Sequence, residues 1–330
     1  MNAIEGWLQA ADRFQQRHRV LAFPVAVWSK FNDDQAGNLA ALISYYAFAA
    51  IFPLLLISSQ VFGFLLQGNE ELQKKMLDST LSQFPIVGTA LGTPQGLTGS
   101  AGVVAVAILA ALYGILGLGQ AAQNAIHVAY AIPRNSRPNP FLSRVHSGLL
   151  LMVSGLVLVI VATITSIAAN AEVFGVAVNF TIGVAVSVVS ALLTATVLVL
   201  MMRVALPEGV PFAKLLPGAL ATAVLWQALQ RLGRFYVSHV VARATDFNAL
   251  FALTLGLLAL LYVAANMGVI GIQINVVLTR HLWPRALLTP FTDDVDLTEA
   301  DRRAYVAYAK AQRHKGFERV DVTFDKGGDS

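Results

Sequence analysis

The chain has 330 residues, of which 56% are hydrophobic and only 13% charged, and its mean hydropathy is +0.63. That composition excludes an ordinary soluble domain, where about a quarter of the residues are charged, and places the chain in the membrane class. The absence of cysteine excludes disulfides, thiol catalysis, cysteine-ligated zinc and iron–sulfur clusters, and the net charge of +4 bears first on topology, because Lys and Arg collect in cytoplasmic loops.

Residues 1–35 form the first region, with a helix predicted over 4–31 that lies on the membrane surface. Trp7, Phe14, Leu21 and Trp28 recur every seven residues and stay near one face, while Arg13, Gln16, Arg17 and Arg19 lie elsewhere. An apolar stripe with basic neighbours suits the headgroup boundary; the alternative is a soluble helix packed on the ends of the bundle. Pro24 is expected to kink or split this helix.

Residues 36–282 carry six long apolar segments, at 39–66, 101–129, 147–169, 179–202, 214–230 and 248–279. A helix needs about 20 apolar residues to cross a bilayer, and nothing here alternates as barrel strands do. The fold class is therefore all-α, a polytopic membrane protein with six transmembrane helices. The first apolar run is too long for the core of a cleavable leader, so the first span is expected to act as the anchor. Pro53 bends that span. The connection 67–100 holds an external amphipathic helix near 69–84, and the fourth span carries small residues every fourth position, Gly183, Ser187, Ala191 and Ala195, which let helices approach closely. Residues 283–330 form a cytoplasmic tail with a helix from Thr298, where Asp301 three residues on completes a capping box.

Charge fixes the orientation. With both termini cytoplasmic, the inner segments hold Arg13, Arg17, Arg19, Lys30, Arg134, Arg137, Arg144, Arg203, Lys214, Arg280 and Arg285, against Lys74, Lys75, Arg231, Arg234 and Arg243 outside. Eleven against five favours termini inside.

Polar faces within the spans are where chemistry is to be sought. Gln120, Asn124 and His127 share one face of the second span. Gln227 and Gln230 lead into Arg231 and Arg234 on the fifth, Tyr262, Asn266 and Gln273 share a face of the sixth, and Asn38 and Tyr45 open the first. Such groups are costly in hydrocarbon unless paired. Two readings stay open: hydrogen bonds that glue helices together, or a polar path for an amphiphilic substrate. Arg231 and Arg234 suit an anion or lipid headgroup, as do Arg134, Arg137 and Arg144 in a loop without acids. Acidic residues cluster only in solvated loops and the tail. No P-loop, GxSxG turn, dinucleotide turn or paired-histidine motif is present, so neither an enzyme, a metal site nor a cofactor is expected. The basic loop also lacks the aromatic interleaving of a nucleic-acid platform.

Four stretches carry a resemblance to the YihY / virulence factor BrkB family of bacterial inner-membrane proteins: Ala40 to Leu56, Gly117 to Pro140, Leu206 to Tyr236 and Leu257 to Asn275. The resemblance covers roughly residues 30–282. It implies six spans with both ends cytoplasmic and a role in envelope integrity, including lipid or lipopolysaccharide-precursor export. Tyr45, Tyr46, Pro53, Arg137, Pro217, Gly218, Trp226, Gly271 and Asn275 are the matching positions, mainly structural. The family usually reads Gly-Ala-Glu-x-Asn where this chain has Gly271-Ile272-Gln273-Ile274-Asn275, which puts a carboxylate-dependent role there in doubt. The expectation is a protein of the bacterial inner membrane that binds or translocates an anionic lipid. The alternative is a non-transporting scaffold that recruits envelope proteins through its external loop and tail.

Overall fold

A computed structural model describes residues 3–65, 101–137, 180–206, 210–239, 246–287 and 295–324, with positions 139, 143–145, 148, 151, 155 and 289. The described residues are helical and contain no strand. In chain order the helices are α1 (Ala3–Arg17), α2 (Arg19–Asp33), α3 (Ala36–Leu65), α4 (Ala101–Ala129), α5 (Phe180–Ala205), α6 (Phe212–His239), α7 (Asp246–Arg280) and α8 (Glu299–Ala311), with a 3-10 turn at Arg134–Ser136. Four stretches are long and apolar enough to cross a membrane: Ala105–Ala129, Ser187–Ala205, Phe212–Gln230 and Thr254–Arg280. Helix α3 adds a shorter apolar stretch, Ala36–Ile51. The expected span at 147–169, apart from isolated positions, and the amphipathic helix at 69–84 lie outside the described residues.

Small residues set the closest helix crossings. A Cβ on Gly117 of α4 would stand 2.2 Å from the Tyr46 ring of α3, and one on Gly114 would stand 2.6 Å from the Cβ of Ala50. Where α6 crosses α7, a Cβ on Gly218 would lie 2.0 Å from the carbonyl oxygen of Gly271. Without a hydrophobic force between helices in lipid, this close contact is what holds them.

Pro217 explains a second feature of that crossing. A proline inside α6 cannot donate its own backbone hydrogen bond and disturbs the ladder around it. Asn275 of α7 bonds to the backbone on either side of this proline: its Oδ1 accepts from the Gly218 N–H at 2.7 Å, and its Nδ2 donates to the Leu215 carbonyl at 2.8 Å. One neutral amide thus meets both a donor and an acceptor of the α6 backbone. Pro217, Gly218, Gly271 and Asn275 form a single packing unit.

At one end of the bundle the last carbonyls of three spanning helices find donors outside their own ladders. The ring Nε2 of His127 donates to the Ala205 carbonyl of α5 at 3.1 Å, and Arg280 donates to the Tyr130 carbonyl after α4 at 2.8 Å. Arg303 of α8 donates to the His281 carbonyl after α7 at 2.7 Å. Helix C-termini carry orphan carbonyls and partial negative charge, so cationic donors suit them. Helices α4 and α7 close alike: Ala131 and His281 take left-handed φ values of 47° and 52°, and Ile132 and Leu282 donate back to the carbonyls of His127 and Val277, the six-to-one bond of a Schellman cap.

The N-terminal helices and the tail meet at this same end. Arg285 is fully buried and pairs with Asp301 of α8 and, at 2.9 Å, with Asp33 of α2. The Arg285 carbonyl accepts from Gln15 of α1 at 2.7 Å, and Asp12 accepts from the Leu287 N–H at 2.8 Å. Thr298 caps α8 with the expected box. The surface helix divides at His18, whose backbone is extended, rather than at Pro24. Pro24 sits six residues into α2, where it removes one bond near the helix start and is tolerated.

Candidate functional site

The polar face of α4 runs into the cationic loop that follows it. Gln120 and Asn124 are one turn apart on this face. Gln120 accepts from the Nε of Arg144, and Asn124 accepts from a terminal guanidinium nitrogen of Arg137 at 3.4 Å. The neighbouring Gln123 accepts from the Ser143 hydroxyl. Arg137 also donates its Nε to the Ile132 carbonyl at 3.2 Å, which holds the half-buried guanidinium against the mouth of the helix. Arg134 and Arg144 are exposed beside it. Burial first, then the charge of Arg134, pulls the Arg137 guanidinium below its ordinary pKa. A guanidinium stays charged in proteins. Its described partners are a carbonyl and a neutral amide, with no acid among them. Two sets of residues singled out separately, the α4 amides and the loop arginines, are therefore one cluster.

The other polar positions have different neighbours. Gln227 of α6 donates to the Ser190 hydroxyl of α5 at 3.3 Å, a helix-to-helix bond, and Gln230 is half-buried one turn on. Arg231 and Arg234 follow on α6, with side chains outside the described residues, and Arg243 lies wholly outside them. Asn266 donates to the Tyr262 carbonyl of its own helix at 2.8 Å. The Tyr262 hydroxyl approaches Gly37 at the start of α3, where a Cβ would stand 3.5 Å away. Asn38 is exposed and reaches Gln35 at 3.5 Å, and Tyr45 is exposed, edge-on to Tyr46.

Gln273 is fully buried, and its Nε2 donates 2.8 Å to Asp34, the partner of Lys30. The described hydrogen bonds thus join it to the N-terminal helices rather than to Gln120 or Gln227. Burial pulls Lys30 down and pushes Asp34 up, each opposed by the other's charge. Burial also works against the charge on Arg285, but flanking Asp33 and Asp301 outweigh it and raise its pKa. Tyr308, raised by burial and by Asp34 and Asp33, stays protonated and donates to Asp33 at 3.1 Å.

These ion pairs correct one sequence expectation, that acidic residues lie only in solvated segments. Asp34 and Asp301 are buried because each accepts from a buried cation, the condition under which a charge leaves water. The i, i+4 spacing of Lys30 and Asp34 and the capping box at Asp301 were visible signals. The pairing of Arg285 with Asp33, 252 positions apart, had none.

Apolar helices of membrane-spanning length, joined by interhelical amides and closed at one end by cations, define a helical membrane protein. The chain belongs to the virulence factor BrkB family: the family model described as Virulence factor BrkB matches residues 27–290. Comparison with curated proteins and with solved structures returns no match. The family match includes Lys30, Asp33, Asp34 and Arg285 and ends before Asp301.

Proposed function

We propose that the chain is a multi-pass protein of the bacterial cytoplasmic membrane, with six spans and both termini inside, that binds or translocates an anionic lipid or similar amphiphile in support of envelope integrity. It acts without enzymatic chemistry or a cofactor. The observation that carries the reading is the cluster of Arg137 and Arg144 on Gln120 and Asn124. Two cations whose described side-chain partners are neutral amides sit there on the polar face of an apolar helix, and a guanidinium fork matches phosphate geometry. Support for the topology comes from the contacts at one end, where the segments expected inside meet: Arg280 with Tyr130, Asn135 with Arg313, and Arg285 with Asp33. Against a scaffold that recruits partners through a free tail stands the inward use of that tail, whose Arg285 and Asp301 are buried.

The test is native mass spectrometry of the full chain released from nanodiscs of mixed zwitterionic and anionic lipid. Wild type should retain an anionic lipid that the double variant Arg137→Gln, Arg144→Gln loses. Retention unchanged in the variant, or no retained lipid in wild type, would overturn the headgroup assignment.

A further inference from the structure

The N-terminal helix pair has two unlike faces. Gln15, Ala22, Ala26, Ser29 and Lys30 are buried. The other face leaves Phe14 57%, Leu21 45% and Trp28 66% exposed, with Val20 at 84% beside them. Leu21 and Trp28 are seven residues apart on α2 and share its face, and Phe14 is exposed on α1 beyond the break at His18. Apolar patches of this size are not left to water on a soluble surface.

Charge on the pair is divided in the same way. Asp12 accepts from the Leu287 N–H, Asp33 from Arg285, and Asp34 from Lys30 and Gln273. Asp12 and Asp33 are thus engaged by the tail, and Asp34 by Lys30 and α7. Arg17 and Arg19, on either side of the break at His18, are exposed, and the Arg19 guanidinium stacks over Trp283 at 5.5 Å. The outward surface is therefore apolar, aromatic and cationic. It leads directly into α3, since only Asp34 and Gln35 separate α2 from that apolar helix.

From this division we infer that the face of α1 and α2 carrying Phe14, Leu21 and Trp28 is a docking surface for the anionic lipid leaflet in which the bundle itself sits. Trp28, whose ring stacks on Phe31 at 6.1 Å, sits at headgroup level with Leu21 and Phe14. Arg17 meets lipid phosphates. The tail is the backing of this element: Arg285 and the Leu287 N–H hold the pair from its inner side. The inference does not depend on the α4 headgroup cluster, and its test uses different residues.

Because the chain has no cysteine, a single introduced one reports alone. Full-length Leu21→Cys, Trp28→Cys and, as a control on the exposed side of α8, Lys310→Cys would carry an environment-sensitive fluorophore. Each would be placed in nanodiscs holding lipids spin-labelled near the headgroup. Quenching severalfold stronger at positions 21 and 28 than at 310 is the expected result. It should grow when anionic lipid replaces zwitterionic lipid, and Arg17→Gln should weaken that lipid dependence by about fivefold. Equal quenching at all three positions would overturn the inference. So would protection of 21 and 28 that depends on protein concentration and not on lipid, which would give the face to a second copy of the chain.

Discussion

The α6–α7 crossing and the junction of the N-terminal helices with the tail are both tightly packed, yet they are held by opposite chemistry. At the crossing the polar contacts are neutral: Asn275 bonds to the α6 backbone on either side of Pro217, and Gly218 meets Gly271 with no room for a side chain. At the junction the contacts are ionic: Arg285 between Asp33 and Asp301, and Lys30 with Asp34. The difference follows from the surroundings. In hydrocarbon an amide can be satisfied by a neighbouring backbone, whereas a charge is far more costly to insert. At the boundary with water, charges can be buried provided each is paired. Gln273 stands where the two regimes meet, on a spanning helix but donating to Asp34. A side-chain amide is suited to that position, since it can donate to the carboxylate without adding a charge.

The comparison can be broken at its ionic side first. Arg285→Met strands Asp33 and Asp301, and loss of one partner of a buried pair should cost about 3–5 kcal/mol. The expected outcome is a large fall in the thermal midpoint of the detergent-solubilised protein. A tail cut after Trp283 removes the same arginine and should fall as far, so such a cut damages the fold as well as removing a possible recruiting arm. Asn275→Leu keeps volume at the crossing but leaves the Gly218 N–H and Leu215 carbonyl without their partner. A cost of about 2 kcal/mol is expected, in the range for unsatisfied buried groups, and the same melting experiment reads it.

Gln273→Glu sharpens the boundary between the regimes. Burial already raises Asp34 above its ordinary pKa; the substitution removes an N–H donor and adds a like-charged neighbour, so it raises Asp34 further. The folded state then holds a proton that the unfolded state gives up, and stability is lost as pH rises. The midpoint gap between variant and wild type should widen from about pH 5 to about pH 8, and a constant gap would contradict the assignment. The smallest effect is expected at Gln227→Leu, which removes one interhelical bond to Ser190 worth about 0.6 kcal/mol.

Much of this was legible in the sequence, for identifiable reasons. Spanning helices announce themselves through length and apolarity, and local pairs such as Thr298 with Asp301 lie within one helical turn. The meeting of Gln120 with Arg144 was half legible, since each was conspicuous but 24 positions of chain separate them. The Arg285 junction was not legible. Its partners come from both ends of the chain, and an arginine after the last span has a ready explanation in topology. The amide of Asn275 was equally silent, because nothing in a sequence says which backbone groups of another helix an asparagine will meet.

In the proposed orientation the N-terminal helices, the arginine loop and the tail form one assembly on the cytoplasmic side. Single cysteines at three exposed positions, Ala10→Cys, Ser136→Cys and Lys310→Cys, test this most directly with a membrane-impermeant maleimide. All three should stay unlabelled in intact spheroplasts and label in inverted vesicles. Labelling of any one from the outside, or a division of the three between the two faces, would contradict it.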